Sequence, residues 1–422
     1  MNKFKKSILT ILILIFTISL VPSRVFAEGN TPVTPPDLYA KSAISMDLNT
    51  NEIIFSKNVD SEACPASITK LLTALLLAEN KEKGDLLTYT ENAKNQPPFS
   101  YGLNVHPVNI GDEITAEDAM DALLLYSGND IAYMVVDNVA AYQQDFVKLL
   151  NSKAKSLNMT NSSFVTPNGL DDDTDNHYSS ALDVAKLTKA AYENAWVRET
   201  MAKTESEINF INGNSTIVQN RNKLLGSNGC IGGKTGYTAK AGKCLSTIYE
   251  RDGRTLIGVV MNSAGSTDED TQYFEDMEKL MDYSYSLVEN PVLTKDSVLK
   301  TVKIPYKVIP LAGPLKTIEI PVSIREDVNL FNSEVEYSQD IILNVLNPWT
   351  IKEDLPIGKL KITQKDYVKE YDLYSNLSKM QIIKENLTIF LGLFLGIIVI
   401  LALIIIITAK IKNRKIKNRR YS

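Results

Sequence analysis

The chain has 422 residues, 44% hydrophobic and 23% charged, which is more than one typical domain holds, so two folded units and flanking segments are expected. Its net charge is −5; setting aside the four cations of residues 1–27 and the seven of 410–422 leaves −16 on 28–409, which excludes nucleic acid as a partner because phosphates need a basic face. Two histidines and three cysteines without a CxxC pair argue against a His-rich metal centre, a zinc knuckle and a histidine-based triad, so no metal or cofactor is expected, the thiols are expected to be free, and any activated serine needs another base.

At the N-terminus Lys3, Lys5 and Lys6 precede an apolar run over 8–21, and Val25-Phe26-Ala27 offers small residues for a signal peptidase. Residues 1–27 therefore read as a signal peptide, with Glu28 the first mature residue. After a proline-rich segment over 31–36, the alternation at 43–47, the turn Asn49-Thr50-Asn51 and the run 53–55 predict a β-hairpin. The segment 67–77 is apolar nearly all round and predicts a helix buried within the domain. Helical patterns dominate 116–195, with Ser180 and Asp183 spaced as a capping box. Strands return after Ile208; 243–250 and 254–262, joined by Asp252-Gly253, form the clearest hairpin, and a helix is predicted over 268–287.

The first domain is thus an α+β unit over 38–290. From 292 to 376 short β-rich runs (301–304, 318–322, 359–362) alternate with Pro and Gly turns and predict a small all-β domain. The stretch 387–409 contains only Thr, Gly and hydrocarbon residues and, at about 1.5 Å per residue, is long enough to cross a bilayer core of about 30 Å. Behind it the cationic tail 410–422 belongs in the cytoplasm by the positive-inside rule, which places the rest of the chain outside the cell as a single-pass membrane protein.

Three short patterns carry candidate chemistry: Ser67-x-x-Lys70, Ser127-Gly128-Asn129 and Lys234-Thr235-Gly236. The first proves little by itself, because Ser152/Lys155 and Ser297/Lys300 repeat it. Placement separates them. A residue three positions on shares a helix face with its predecessor, so Lys70 can bring its amine to the Ser67 hydroxyl. Desolvation in an apolar helix, and a second cation nearby, would keep part of Lys70 neutral and able to take the serine proton. Ser152 lies among Asn151, Lys153, Ser156 and Asn158, a solvated setting. In the second pattern Ser127 would transfer a proton to a departing amine and Asn129 would bond a substrate amide. In the third, glycines permit close backbone approach, a strand edge can pair with an extended substrate, and Lys234 and Thr235 can meet a carboxylate.

Taken with Pro65-Ala66-Ser67-Ile68-Thr69-Lys70, Ser127-Gly128-Asn129-Asp130, Asn158-Met159-Thr160 through Pro167-Asn168-Gly169-Leu170, His177-Tyr178-Ser179 with Asp183, and Gly233-Lys234-Thr235-Gly236-Tyr237-Thr238, the chain resembles the low-molecular-mass penicillin-binding proteins, the serine D-alanyl-D-alanine carboxypeptidases. The resemblance covers about 38–290, and the β-rich part after Val292 looks like that family's C-terminal domain. It implies a penicillin-binding/β-lactamase-like transpeptidase fold, an antiparallel sheet with a helical subdomain. It further implies Ser67, Lys70 and Ser127 as catalytic residues, and Asn129, Lys234, Thr235, Gly236 and Tyr237 as substrate-binding residues. The partners implied are peptidoglycan stem peptides ending in D-Ala-D-Ala, with β-lactams as inhibitors. The oxyanion would be held by the main-chain N–H groups of Ser67 and Tyr237. In the matching block His177 belongs to a structural loop. Two departures stand out: no arginine lies between Val259 and Tyr285, where many relatives place a carboxylate-side cation, and the C-terminal segment looks like a spanning helix rather than an amphipathic one. The alternatives are a catalytically silent membrane-anchored wall-binding scaffold and a β-lactamase.

Overall fold

A computed structural model of the protein describes residues 34–97, 103, 108–171, 174–265, 270–310, 313–344 and 347–419. The expected signal peptide over 1–27 lies outside the described residues. Five antiparallel strands form the central sheet: β1 (Ser42–Asp47), β2 (Ile53–Lys57), β3 (Cys230–Thr238), β4 (Gly242–Arg251) and β5 (Arg254–Ser263), in the order β2-β1-β5-β4-β3. The two hairpins follow from their turn residues. Asp47 Oδ1 accepts from the N–H groups of Asn49 and Thr50, both at 2.9 Å, and Asn51 takes a positive φ of 64°. Asp252 and Gly253 take φ of 51° and 75°, the pair of positive values that matches the twist of two joined strands.

Helices cover both faces of this sheet, which is why its strands are apolar in both directions. On one face Ile44, Met46, Ile257, Val259 and Met261 pack into the core that holds α1 (Lys70–Asn80), α2 (Asn129–Val139) and α3 (Ala181–Glu193). On the other, Ala43, Leu245, Leu256 and Val260 meet Phe274, Met277, Leu280 and Met281 of α4 (Gln272–Ser286). Every residue of α1 from Lys70 to Leu77 is buried. The helix does not open at Ser67: Ala66–Thr69 is a 3₁₀ turn that runs into α1. None of the described residues of 157–180 is helical. Asn158 at φ 56°, Pro167 and Gly169 at φ 86° interrupt the periodicity, and helix resumes at α3, where Ser180 Oγ accepts from the Asp183 N–H at 3.2 Å.

From Asn290 to Leu373 the regular elements among the described residues are strands and one 3₁₀ turn, chiefly the hairpin β6 (Val298–Lys307) and β7 (Leu315–Ser323) and the antiparallel set β8 (Ser338–Leu343), β9 (Gly358–Gln364) and β10 (Tyr367–Leu373). Alternate residues such as Ile304, Ile318, Ile320, Val322, Leu360, Ile362 and Leu373 face a separate core. Glu52 at the start of β2 joins the two cores by accepting the Phe331 N–H at 2.8 Å, and Lys365 pairs with Asp60 at 2.9 Å. The short helix α5 (Lys379–Glu385) leads into α6 (Leu387–Arg419). Its part Leu387–Lys415 is long and apolar enough to cross a membrane, and beyond its first turn, where Ile389 and Phe390 touch the β-rich core, it is exposed.

Candidate active site

Three elements converge on one cleft edge. The turn Ala66–Thr69 carries Ser67, the junction before α2 carries Ser127 and Asn129, and β3 carries Lys234, Thr235, Gly236 and Tyr237. In a 3₁₀ turn residues i and i+3 eclipse, so Lys70 is aligned with Ser67 more closely than on an α-helix. Ala66 holds φ at 49°, an unfavourable value for a residue with a Cβ, and two glycines explain how it is held there. A Cβ on Gly169 would sit 1.9 Å from the Ala66 carbonyl oxygen. One on Gly236 would lie 2.9 Å from the Pro65 oxygen and 3.1 Å from the Ser67 nitrogen, so only glycine lets β3 lie directly against the nucleophile turn.

Lys70 is fully buried, and its Nζ donates to Ser67 Oγ at 2.8 Å, Asn129 Oδ1 at 2.7 Å and the Asn168 carbonyl at 2.8 Å. These bonds favour the ammonium. Burial outweighs them and holds the pKa well below the ordinary lysine value, the Lys234 charge lowers it further, and Asp130 opposes both. Lys234 is buried too, and donates to Ser127 Oγ and to the Thr235 carbonyl, both at 3.0 Å. Burial, reinforced by the Arg221 charge, pushes its pKa down to about 7. Ser127 follows a π-helical turn, Ala122–Tyr126, and takes the left-handed conformation at φ 69°. Such a turn inside an α-helical run often marks a functional site.

The structure therefore brings together the seven residues singled out from the three patterns, and Tyr237, which the resemblance added, follows them on β3. The decoys stay apart: Ser152 and Lys155 are exposed, and Lys300 is exposed on β6. Asn129 presents its oxygen to Lys70, an arrangement its pattern did not specify. Sequence reasoning also missed three partners. The Asn168 acceptor is a main-chain carbonyl, which no side-chain motif encodes; Arg221 belongs to no pattern; and Tyr89 Oη–H donates to Asp130 Oδ2 at 2.8 Å across 41 residues. Thr238, beyond the triplet on β3, donates to Asp171 Oδ2 at 3.0 Å and so ties the strand to the 157–180 loop. His177 lies buried behind the nucleophile turn. The Val165 N–H donates to its Nδ1 at 3.2 Å, which leaves the ring proton on Nε2 facing Thr69 Oγ1 at 2.9 Å. Burial pushes its pKa down to about 4, so it is neutral at physiological pH. Cys64, Cys230 and Cys244 are free, and the described residues hold no cluster of metal-ligating side chains.

A serine hydrogen-bonded to a buried lysine, on a sheet flanked by helices, is the arrangement of a serine peptidase whose base is a lysine rather than a histidine. Comparison with known proteins narrows this. A family model described as D-alanyl-D-alanine carboxypeptidase matches residues 29–265. D-alanyl-D-alanine carboxypeptidase DacF of Bacillus subtilis (strain 168) is 27% identical over 347 residues, 80% of this chain and 86% of that protein. D-alanyl-D-alanine carboxypeptidase DacC of Escherichia coli (strain K12) is 31% identical over 272 residues, 63% of this chain and 65% of that one. The crystal structure of a D-alanyl-D-alanine carboxypeptidase from Mycobacterium tuberculosis H37Rv superposes with a TM-score of 0.56 at 28% identity, covering 61% of this chain and 96% of that chain. The chain belongs to the D-alanyl-D-alanine carboxypeptidase family.

Proposed function

We propose that Ser67 is the nucleophile with which this serine-type D-alanyl-D-alanine carboxypeptidase removes the terminal D-alanine from peptidoglycan stem peptides. The observation that carries this reading is the 2.8 Å contact between Ser67 Oγ and a fully buried Lys70 amine whose charge is disfavoured. When Lys70 is neutral, its lone pair takes the Ser67 proton as Oγ bonds to the carbonyl carbon of the penultimate D-alanine. The main-chain N–H groups of Ser67 and Tyr237 hold the oxyanion. As the C–N bond breaks, the departing nitrogen receives its proton through Ser127, and terminal D-alanine leaves. Water then adds to the Ser67 ester, releases the shortened stem as a carboxylate and restores the hydroxyl. Asn129 holds the substrate amide. Lys234 and Thr235 take the terminal carboxylate, and Gly236 lets the extended substrate lie along β3. A β-lactam enters the same path and stays on Ser67.

The domain reading that goes with this is a signal peptide at 1–27, the catalytic domain at 38–290, the small β-rich domain at 292–376, a transmembrane helix at 387–409 and a basic cytoplasmic tail at 410–422. The catalytic domain then works outside the cell on a single-pass anchor. The test pairs labelled penicillin with a stem pentapeptide. Wild-type protein should retain the label and shorten the pentapeptide by one D-alanine, as read by mass spectrometry, and Ser67→Ala should do neither. Label held covalently by Ser67→Ala would refute the assignment.

A further inference from the structure

The β-rich domain meets the start of α6 in a way that a flexible tether does not require. Asn386, between α5 and α6, is buried; its Nδ2 donates to Tyr306 Oη at 2.5 Å and to the Ile382 carbonyl at 2.8 Å. One turn into α6, Ile389 and Phe390 pack against the β-domain core. The Phe390 ring lies edge-on to Trp349, centroids 6.5 Å apart at 87°, and the Trp349 Nε1–H donates to the Lys307 carbonyl at 2.9 Å. Lys307 ends β6 and pairs with Leu315, the first residue of β7. Trp349, the β6–β7 hairpin end and the first turn of α6 therefore share one end of the domain.

That end carries exposed apolar residues among charged ones. Leu315 is 72% exposed, Pro310 and Pro314 are exposed, and Lys307 and Lys316 flank them. The two sides of the hairpin end are bonded to each other, with the Val308 N–H on the Pro314 carbonyl at 3.0 Å and the Gly313 N–H on the Ile309 carbonyl at 3.0 Å. We infer that Trp349 and the hairpin end formed by Pro310, Pro314 and Leu315 seat in the headgroup layer of a lipid bilayer, docking the β-rich domain on the membrane. The inference rests on α6 crossing that bilayer. The occupant is lipid because of depth: the hydrocarbon run begins at Leu387, and Phe390 is only about 4.5 Å further along the helix axis. A ring in contact with Phe390 is thus held at the membrane–water boundary, where tryptophan, apolar in body with one polar N–H, is favoured. Lysines at the rim suit anionic headgroups.

The chain has two tryptophans, so Trp196→Phe leaves Trp349 as the only reporter. The full-length variant is reconstituted into phosphatidylcholine/phosphatidylglycerol vesicles with brominated acyl chains, and penicillin acylation checks that it is folded. Trp349 emission should fall at least twofold relative to unbrominated vesicles and resist aqueous iodide. The converse variant, Trp349→Phe, reports from Trp196 in the catalytic domain and should not be quenched by bromine. Adding Leu315→Asp to Trp196→Phe should weaken the bromine quenching severalfold without changing flotation of the vesicle-bound protein. Protein that floats with vesicles while Trp349 is untouched by bromine and open to iodide overturns the docking alone. Protein that does not float overturns both the docking and the spanning helix beneath it.

Discussion

Lys234 offers the sharpest quantitative prediction, because its pKa of about 7 falls inside the range over which acylation can be followed. Recognition of a substrate carboxylate requires the cation. In the free enzyme half of Lys234 is charged near pH 7, and the charged fraction falls towards tenfold for each further pH unit, so acylation efficiency should drop about fiftyfold between pH 7 and pH 9. The acid limb belongs to Lys70, which must lose its proton to act as base, so efficiency first rises with pH. Lys234→Arg keeps a charge over the whole range, since guanidinium does not titrate below about pH 12. Its overall efficiency will fall because the larger head must fit the same buried space, but the alkaline limb should vanish. Arg221→Gln, which removes the second cause of the Lys234 shift, should move the wild-type limb to higher pH. Stopped-flow acylation by a fluorescent penicillin at pH 5.5 to 9 reads all three profiles. An alkaline limb centred near pH 7 that survives unchanged in Lys234→Arg would assign it to another group.

Two further outcomes follow from close approach and burial. Gly236→Ala forces β3 away from the Pro65 carbonyl and the Ser67 N–H; acylation should slow by about a hundredfold while the melting temperature shifts by only a few degrees, and unchanged acylation would contradict the packing described here. Glu52 is buried between the two domains, and burial, with smaller contributions from Glu289 and Asp47 against the Phe331 N–H and Lys369, raises its pKa to about 7. The folded state then holds a proton that the unfolded chain has lost, so stability falls as pH rises from about 4.5 to 7, by about 3 kcal/mol. Glu52→Gln keeps an acceptor for Phe331 and should remove that fall in a calorimetric pH series; parallel curves for the two proteins would disprove it.

The site was legible because its chemistry sits in side chains at short, fixed spacings. The spacing of Ser67 and Lys70 recurs at Ser152/Lys155 and Ser297/Lys300, and it is the apolar run behind Lys70 that foretells the burial lowering its pKa. Legibility ended where structure depends on the main chain or on tertiary approach. Nothing in the residues before Lys70 signals that Ala66 takes a left-handed conformation, because the cause lies in Gly169 and Gly236, far along the chain. The helical reading of 116–195 fails over part of its span, where Asn158, Pro167 and Gly169 shape the loop whose Asn168 carbonyl holds Lys70. The sheet was easier: Asp252-Gly253 fixes one hairpin outright, whereas the pairing of β1 with β5, separated by some two hundred residues, is set by packing that no local signal records.

On the proposed mechanism, in which Lys70 is the base and Lys234 takes the substrate carboxylate, the two buried lysines would also let the site time its own activation. In the free enzyme the charge on Lys234 is one reason Lys70 loses its proton, which leaves Lys70 neutral but a poor base. A substrate carboxylate arriving at Lys234 cancels much of that charge. The same Lys70 amine then becomes more basic at the moment the scissile carbonyl reaches Ser67, so proton transfer is favoured only with the correct C-terminus in place. A stem peptide whose terminal carboxylate is replaced by a carboxamide should therefore suffer in kcat and not only in KM. If the carboxylate served binding alone, saturating carboxamide peptide would turn over at the normal rate; a kcat reduced tenfold or more at saturation is the expected result, and an unchanged kcat would show that Lys234 and Lys70 act independently.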